Sequence, residues 1–110
     1  MSVIDSNVQT AINNLRDKGV DFSDRFNIRA EIGYKKYGVT TEREDLTELE
    51  WINHTIEEIM DAMIYLIKLK NITQDVDWWR SDDYDVELER QSVSLVRLIN
   101  IEKRLKNEKV

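Results

Sequence analysis

The fold of this chain is organised around one segment, residues 48–70, with the sequence ELEWINHTIEEIMDAMIYLIKLK. It has the longest helical periodicity in the chain and contains the only histidine. Because residues three or four apart share one face of an α-helix, its apolar residues form one stripe, consisting of Leu49, Ile52, Ile56, Ile59, Met60, Met63 and Ile67. The spacing therefore predicts an amphipathic helix that turns this stripe towards a core.

A second stripe on the same helix is polar and mostly acidic. Its members also recur every three or four residues, and they are Glu50, His54, Glu57, Glu58, Asp61 and Tyr65. Carboxylates one turn apart can share a divalent cation, and magnesium prefers such oxygen ligands. The stripe is thus a candidate metal site. The alternatives are a solvated acidic face and, for Glu50 with Thr47, a capping box at the helix start.

Length and composition favour an all-α protein. The chain has 110 residues, no proline and three glycines, so nothing interrupts long helices. We predict a single domain, residues 1–110, built as a bundle of about four helices. The last predicted helix is broadly apolar, which favours a bundle completed by oligomerisation, as a homodimer or a higher homo-oligomer.

Charge and residue usage limit the possible functions. The formal net charge of −6 argues against binding to a nucleic acid polymer, which needs a basic surface. Nucleotide binding stays open because bound cations can invert the local charge. The chain lacks cysteine, which excludes disulfides and thiolate metal sites. A polar start and the lack of an apolar run of about 18 residues predict a cytoplasmic protein that does not enter a membrane.

Capping residues predict the first two helices. The first covers about residues 6–18, with Asp5 or Ser6 as N-cap and Gly19 after its end. The second covers residues 23–37, with Ser23 as N-cap and Gly38 as C-cap. It carries a basic group that either contacts a polyphosphate or is a solvated face near the helix C-terminus, formed by Arg29, Lys35 and Lys36.

The chain after the central helix is harder to assign. We predict that the central helix ends near Lys70 with Asn71 as its stop, and that the last helix runs from Asp83 or Asp85 to about residue 107. Between them lie two adjacent tryptophans, Trp78 and Trp79. Neighbouring residues point about 100° apart on a helix, so we expect one to cover the core and the other to meet a partner chain or a base, with packing favoured over stacking.

One segment of the central helix resembles a known family. The resemblance lies in Glu57-Glu58-Ile59-Met60-Asp61 and the apolar segment with an aromatic that follows, Ala62-Met63-Ile64-Tyr65-Leu66. This is similar to the second metal-binding helix of the MazG-like all-α nucleoside triphosphate pyrophosphohydrolases. Residues 29–70 also resemble small phage proteins usually assigned to that group, through Lys36-Tyr37-Gly38, Leu46-Thr47, Trp51, His54, Tyr65 and Leu69-Lys70.

The resemblance implies a helical bundle, often with an active site between chains, that hydrolyses nucleotides between the α and β phosphates. Magnesium supplies the electrostatic stabilisation and lowers the pKa of an attacking water, and a carboxylate orients that water or takes its proton. It makes Glu57, Glu58 and Asp61 the candidate catalytic and metal-binding residues. Further candidate metal ligands are Glu50 and His54, and candidate substrate-binding residues are Arg29, Lys35, Lys36 and Tyr65.

One departure from the family pattern leaves alternatives open. The family has a Glu-Glu-x-x-Glu motif on the preceding helix, whereas the second helix here offers only Glu31 and the following loop offers Glu42, Glu44 and Asp45. Either Glu50 and His54 replace the motif, or another copy of the chain supplies ligands. Otherwise the protein binds and sequesters a nucleotide or a nucleotide-derived signal without cutting it, as a phage protein would do to counter a host defence. A helical interaction protein without a small ligand is a third possibility. Of these three possibilities, we favour the enzyme.

Overall fold

The structure is a computed structural model that describes residues 5–108, and these residues form four α-helices and no strand. The helices are α1 (Ser6–Arg16), α2 (Ser23–Tyr37), α3 (Glu48–Thr73) and α4 (Trp78–Glu108). The predicted all-α fold is confirmed. The chain divides into two compact units between residues 45 and 46. The first unit contains α1 and α2, and the second contains α3 and α4.

Helix α1 begins where the sequence predicts. Asp5 is its N-cap, and the Asp5 carboxylate accepts a hydrogen bond from the Val8 N–H at 2.8 Å. Ile12 is the buried apolar side chain, with 2% of its surface exposed. The helix ends at Arg16, two residues earlier than predicted. Gly19, at φ 83°, donates its N–H to the Arg16 carbonyl at 2.9 Å and turns the chain away.

Helix α2 has the predicted range, but its predicted N-cap is wrong. Ser23 is the first helical residue, and Phe22 occupies the cap position without a side-chain hydrogen bond. The Asp21 carboxylate instead accepts from the Ser23 N–H at 2.9 Å. At the other end, Gly38 adopts φ 72° and donates its N–H to the Tyr34 carbonyl at 2.7 Å, which confirms the predicted C-cap.

Helices α3 and α4 pack against each other along a seam that repeats every 3.5 residues. On α3 the more buried positions alternate by three and four, at Leu49, Ile52, Ile56, Ile59, Met63, Leu66, Lys70 and Thr73. On α4 the same alternation is seen at Ser81, Tyr84, Leu88, Gln91, Leu95, Leu98, Glu102 and Leu105. This is the spacing of a coiled coil. An ion pair bridges the helices, with Lys70 Nζ 2.9 Å from Asp85 Oδ1.

The seam corrects the predicted apolar stripe at two positions. Met60 and Ile67 are 42% and 45% exposed, because they lie beside a seam of period 3.5 rather than on it. Leu66, Lys70 and Thr73 take the seam positions instead. Only Ile56 is a fully buried apolar side chain among the described residues of α3 and α4, at 5% exposure.

The boundary between α3 and α4 also differs from the prediction. Helix α3 continues three residues past Lys70 to Thr73, whose hydroxyl donates to the Leu69 carbonyl at 2.9 Å. Helix α4 begins at Trp78, five residues before Asp83. No glycine or proline lies between the helices, so nothing forces a longer break.

The expected core role of one tryptophan is wrong. Trp78 and Trp79 are 71% and 55% exposed, so neither side chain is buried. None of the described helices is long and apolar enough to cross a membrane.

Candidate functional site

The three candidate catalytic residues lie exposed in the middle of α3. Glu57, Glu58 and Asp61 all have exposed side chains. The Glu57 carboxylate accepts a hydrogen bond from Asn53 Nδ2 at 3.1 Å. Glu58 and Asp61 have no hydrogen bond or ion pair with any other described residue. Two carboxylates of the motif are therefore available for a ligand.

These carboxylates point away from the seam. Ile56, Ile59 and Met63 are seam positions, and residues one or two positions from them lie on the other sides of the helix. Glu58 and Asp61 are three residues apart, which places their Cβ atoms roughly 5–6 Å from each other. Both can therefore approach one cation without a change in the backbone.

Two further candidate ligands, Glu50 and His54, have other contacts. Glu50 closes the predicted capping box, which the structure confirms. Its Oε1 accepts from the Thr47 N–H at 3.1 Å, and its own N–H donates to the Thr47 hydroxyl at 3.1 Å. The exposed His54 ring lies edge-on to Trp51, with ring centroids 6.1 Å apart. Glu50 is therefore held by the helix start, and His54 is held beside an aromatic ring.

A complete magnesium site is not assembled by the part of the chain that the structure describes. Within residues 5–108 no three histidine, aspartate or glutamate side chains come together in a group that could hold a metal ion. Magnesium requires close to octahedral coordination, mostly by oxygen atoms and water. The candidate ligands of one chain do not meet this requirement, because they all project from one helix.

Two of the three loop carboxylates, Glu42 and Asp45, have partners within the first unit. Glu42 accepts a hydrogen bond from the Ser6 N–H, and this bond holds the pKa of Glu42 below its usual value. Asp45 forms an ion pair with Arg43, and the hydrogen bond from Arg43 lowers the pKa of Asp45. Glu42 thus contacts the start of α1, and Asp45 is paired within the loop.

One basic candidate, Arg29, lines a groove in the first unit. The groove has a volume of about 230 Å³ and a mainly apolar wall formed by Leu15, Phe22, Arg25, Phe26 and Arg29. The Arg25 guanidinium lies 5.7 Å from the centre of the Phe22 ring, which is a cation–π contact. Sequence reasoning missed Arg25 and Phe22. The sequence pattern that could have identified this groove is a repeated spacing of four residues, from Phe22 to Phe26 and from Arg25 to Arg29.

The remaining substrate-binding candidates lie elsewhere. Lys35 and Lys36 are exposed in the last turn of α2, where positive charge complements the helix dipole. Lys36 Nζ lies 5.2 Å from the centre of the Tyr37 ring. Tyr65 is 66% exposed on α3, one turn after Asp61. The structure thus places Tyr65 beside the acidic residues and Arg29 in the groove, which the two lysines do not line.

None of the protein-family models, curated proteins or solved structures with which the chain was compared matches it.

Proposed function

We propose that the chain acts in the cytoplasm as a magnesium-dependent nucleotide pyrophosphohydrolase, converting a (d)NTP or a related nucleotide to a monophosphate and pyrophosphate. The observation that carries the proposal is the pair Glu58 and Asp61, exposed and without a partner among the described residues, in the middle of a 26-residue helix. They stand in a Glu-Glu-x-x-Asp motif on an all-α scaffold. Both features agree with the resemblance to the MazG-like pyrophosphohydrolases.

The proposal requires ligands from outside the acidic face of one α3 helix. The described residues of one chain bring no three candidate ligands together. A second copy of the chain is the simplest source, since it brings a second set of identical carboxylates. The proposed active form is therefore a homodimer or a higher homo-oligomer.

Two charge-neutralising variants test the enzyme. Glu58→Gln and Asp61→Asn keep the side-chain size but remove an anionic ligand, and we expect each to lower pyrophosphate release by about 100-fold or more. Because both residues are exposed, the helical circular dichroism signal should stay unchanged. The matched control is Glu89→Gln, an exposed carboxylate on α4, which should keep full activity. Full activity in both α3 variants would contradict the proposal.

The groove in the first unit supports a second candidate, a protein that binds a nucleotide without cutting it. Phe22 and Phe26 offer apolar and aromatic surface for a base. Arg25 and Arg29 also line the groove, mainly through the apolar parts of their side chains, and guanidinium groups pair well with phosphate. This candidate needs no metal. It predicts that the ligand is released unaltered and that binding survives chelation of magnesium.

Binding measurements on arginine variants separate this candidate from the enzyme. Equilibrium dialysis with linear and cyclic nucleotides, in the presence of a chelator, should show binding that Arg25→Ala and Arg29→Ala each weaken by about tenfold or more. Lys35→Ala is the control, because Lys35 does not line the groove. Asp61→Asn should bind as well as the wild type. The absence of binding to every nucleotide in the panel would contradict this candidate.

A further inference from the structure

Helix α4 carries an apolar stripe that its packing with α3 does not use. Trp79, Val86 and Val93 recur every seven residues, and Val96 lies one turn after Val93. We call these four residues the outer stripe. They are 55%, 51%, 54% and 60% exposed. The seam positions of α4 lie on the opposite side of the helix, because a repeat of seven keeps each set of residues on its own face.

The charges beside the outer stripe are polarised along the helix. Residues 78–89 contain five acids and one arginine, whereas residues 90–108 contain five bases and two acids. Asp83, Arg90 and Arg97 recur every seven residues along one edge of the stripe. Arg90 pairs with Glu87 at 3.7 Å. Asp83 and Arg97 have no hydrogen bond or ion pair with any residue between positions 5 and 108.

We propose that the outer stripe binds a second copy of this chain, with the two α4 helices antiparallel. A register centred near residue 90 places Val86 opposite Val93 of the second copy. In the same register Asp83 faces Arg97 of the second copy. Arg90 then lies near Arg90 of the second copy, and the ion pair of each Arg90 with its own Glu87 offsets this like-charge contact. Two-fold symmetry brings the same edge of both helices together, so each contact occurs twice. A parallel pair would instead place the acidic halves against each other, which is unfavourable.

The size of the outer stripe indicates a weak dimer. The outer stripe offers only four side chains, each about half exposed, whereas each partner contributes roughly 20–30 residues to a standard interface. Contacts of the flanking charged side chains add to this. We therefore expect a reversible dimer with a dissociation constant on the order of 10 µM. This contact does not bring two acidic faces together, because the outer stripe lies on the side of α4 away from α3 and the α3 carboxylates point away from the seam. The inference therefore goes beyond the proposed function, and it does not depend on nucleotide chemistry.

Sedimentation of the full chain, without nucleotide or metal, tests the interface. The wild type should change from monomer to dimer over roughly three decades of concentration around the expected dissociation constant. Val86→Arg and Val93→Arg should each keep the chain monomeric over this range, because a charge then faces an apolar side chain. Ile64→Arg is the matched control, since Ile64 is an exposed apolar residue on α3, and it should dimerise like the wild type.

Charge reversal tests the register. Asp83→Arg and Arg97→Asp each replace two attractive contacts by two repulsive ones, and each should weaken the dimer by about tenfold or more. An equimolar mixture of the two variants should regain the wild-type affinity as a heterodimer, because each new arginine then faces a new aspartate. Both positions are exposed, so circular dichroism should show an unchanged helix content.

Three results would overturn the inference. These are a monomer at every concentration, a dimer that Ile64→Arg breaks but Val86→Arg does not, and a mixture of the charge variants that stays as weak as either alone. The test is independent of the enzyme assay. A dimer that responds to these variants but cleaves no nucleotide counts against the proposed enzyme only. A nucleotide-cleaving monomer counts against the interface and against the proposed oligomeric active form, but not against nucleotide cleavage itself.

Discussion

At the residue scale, the buried Asp5 is the clearest case of a side chain that ties two segments together. Its carboxylate accepts hydrogen bonds from the Thr41 hydroxyl and from the Val8 N–H, so it caps α1 and holds the loop after α2. Burial alone would raise the pKa of Asp5. The hydrogen bonds outweigh this effect, and the pKa of Asp5 lies below its ordinary value. The folded protein therefore favours the ionised form.

This pKa gives a pH dependence of stability with a definite sign. A carboxyl group whose pKa is lower in the folded state stabilises the protein above its unfolded pKa, which is about 4, and loses this contribution as the pH falls through the folded pKa. In urea unfolding of the wild type, the free energy of unfolding should fall as the pH decreases below about 4. In Asp5→Asn part of this decrease should disappear.

The control for Asp5 is Asp75→Asn, since Asp75 is an exposed acid in the connection between α3 and α4. Its pH profile should follow that of the wild type. An Asp5→Asn profile with the same slope as the wild type would show that Asp5 does not contribute through its charge. Its hydrogen-bonded cap would then be its only role, worth about 1 kcal/mol.

At the element scale, the α3–α4 pair depends on one buried isoleucine. Ile56→Ala removes the apolar side chain that is 5% exposed, and we expect the free energy of unfolding to fall by about 2–5 kcal/mol. Ile64→Ala is the matched control on the same helix, because Ile64 is 61% exposed, and its effect should stay within about 0.5 kcal/mol. Urea unfolding followed by circular dichroism gives both values. Similar losses in the two variants would contradict the assigned seam.

The helix boundaries that the sequence predicts are those with a local signal. Asp5, Thr47 and Gly38 act within a few residues of their own position, so their caps can be identified without knowing the tertiary structure. The start of α4 at Trp78 also has a local signal that the prediction did not use, because Asp77 precedes it and accepts the Ser81 N–H at its carbonyl. Met60 and Ile67 fit a helical period but lie beside the seam. Only the choice of partner helix decides which apolar residues form the seam.

The same distinction applies to the candidate site. The sequence places Glu57, Glu58 and Asp61 on one side of α3, and the structure agrees, because the face of a residue follows from helical geometry. Whether other ligands join them depends on contacts between distant segments or between chains, which no local pattern encodes. The groove was missed because Arg29 was grouped with Lys35 and Lys36 rather than with Arg25.

At the scale of the whole molecule, the two faces of the α3–α4 unit have different proposed roles. The acidic face of α3 is proposed to bind metal and nucleotide, and the outer stripe of α4 is proposed to bind a second copy. These faces belong to different helices, so a variant of one should leave the other intact. The dimer variants of α4 and the carboxylate variants of α3 can therefore be interpreted separately, provided that each keeps its helix content.

Magnesium-dependent cleavage of a nucleotide is the activity that the proposed function requires. The most direct measurement incubates the wild-type protein with a panel of nucleoside and deoxynucleoside triphosphates, with magnesium or with a chelator, and identifies the products by mass spectrometry. We predict equal amounts of monophosphate and pyrophosphate from at least one nucleotide, with magnesium only, and their loss in Asp61→Asn. Recovery of every nucleotide unaltered at all magnesium concentrations would contradict the claim.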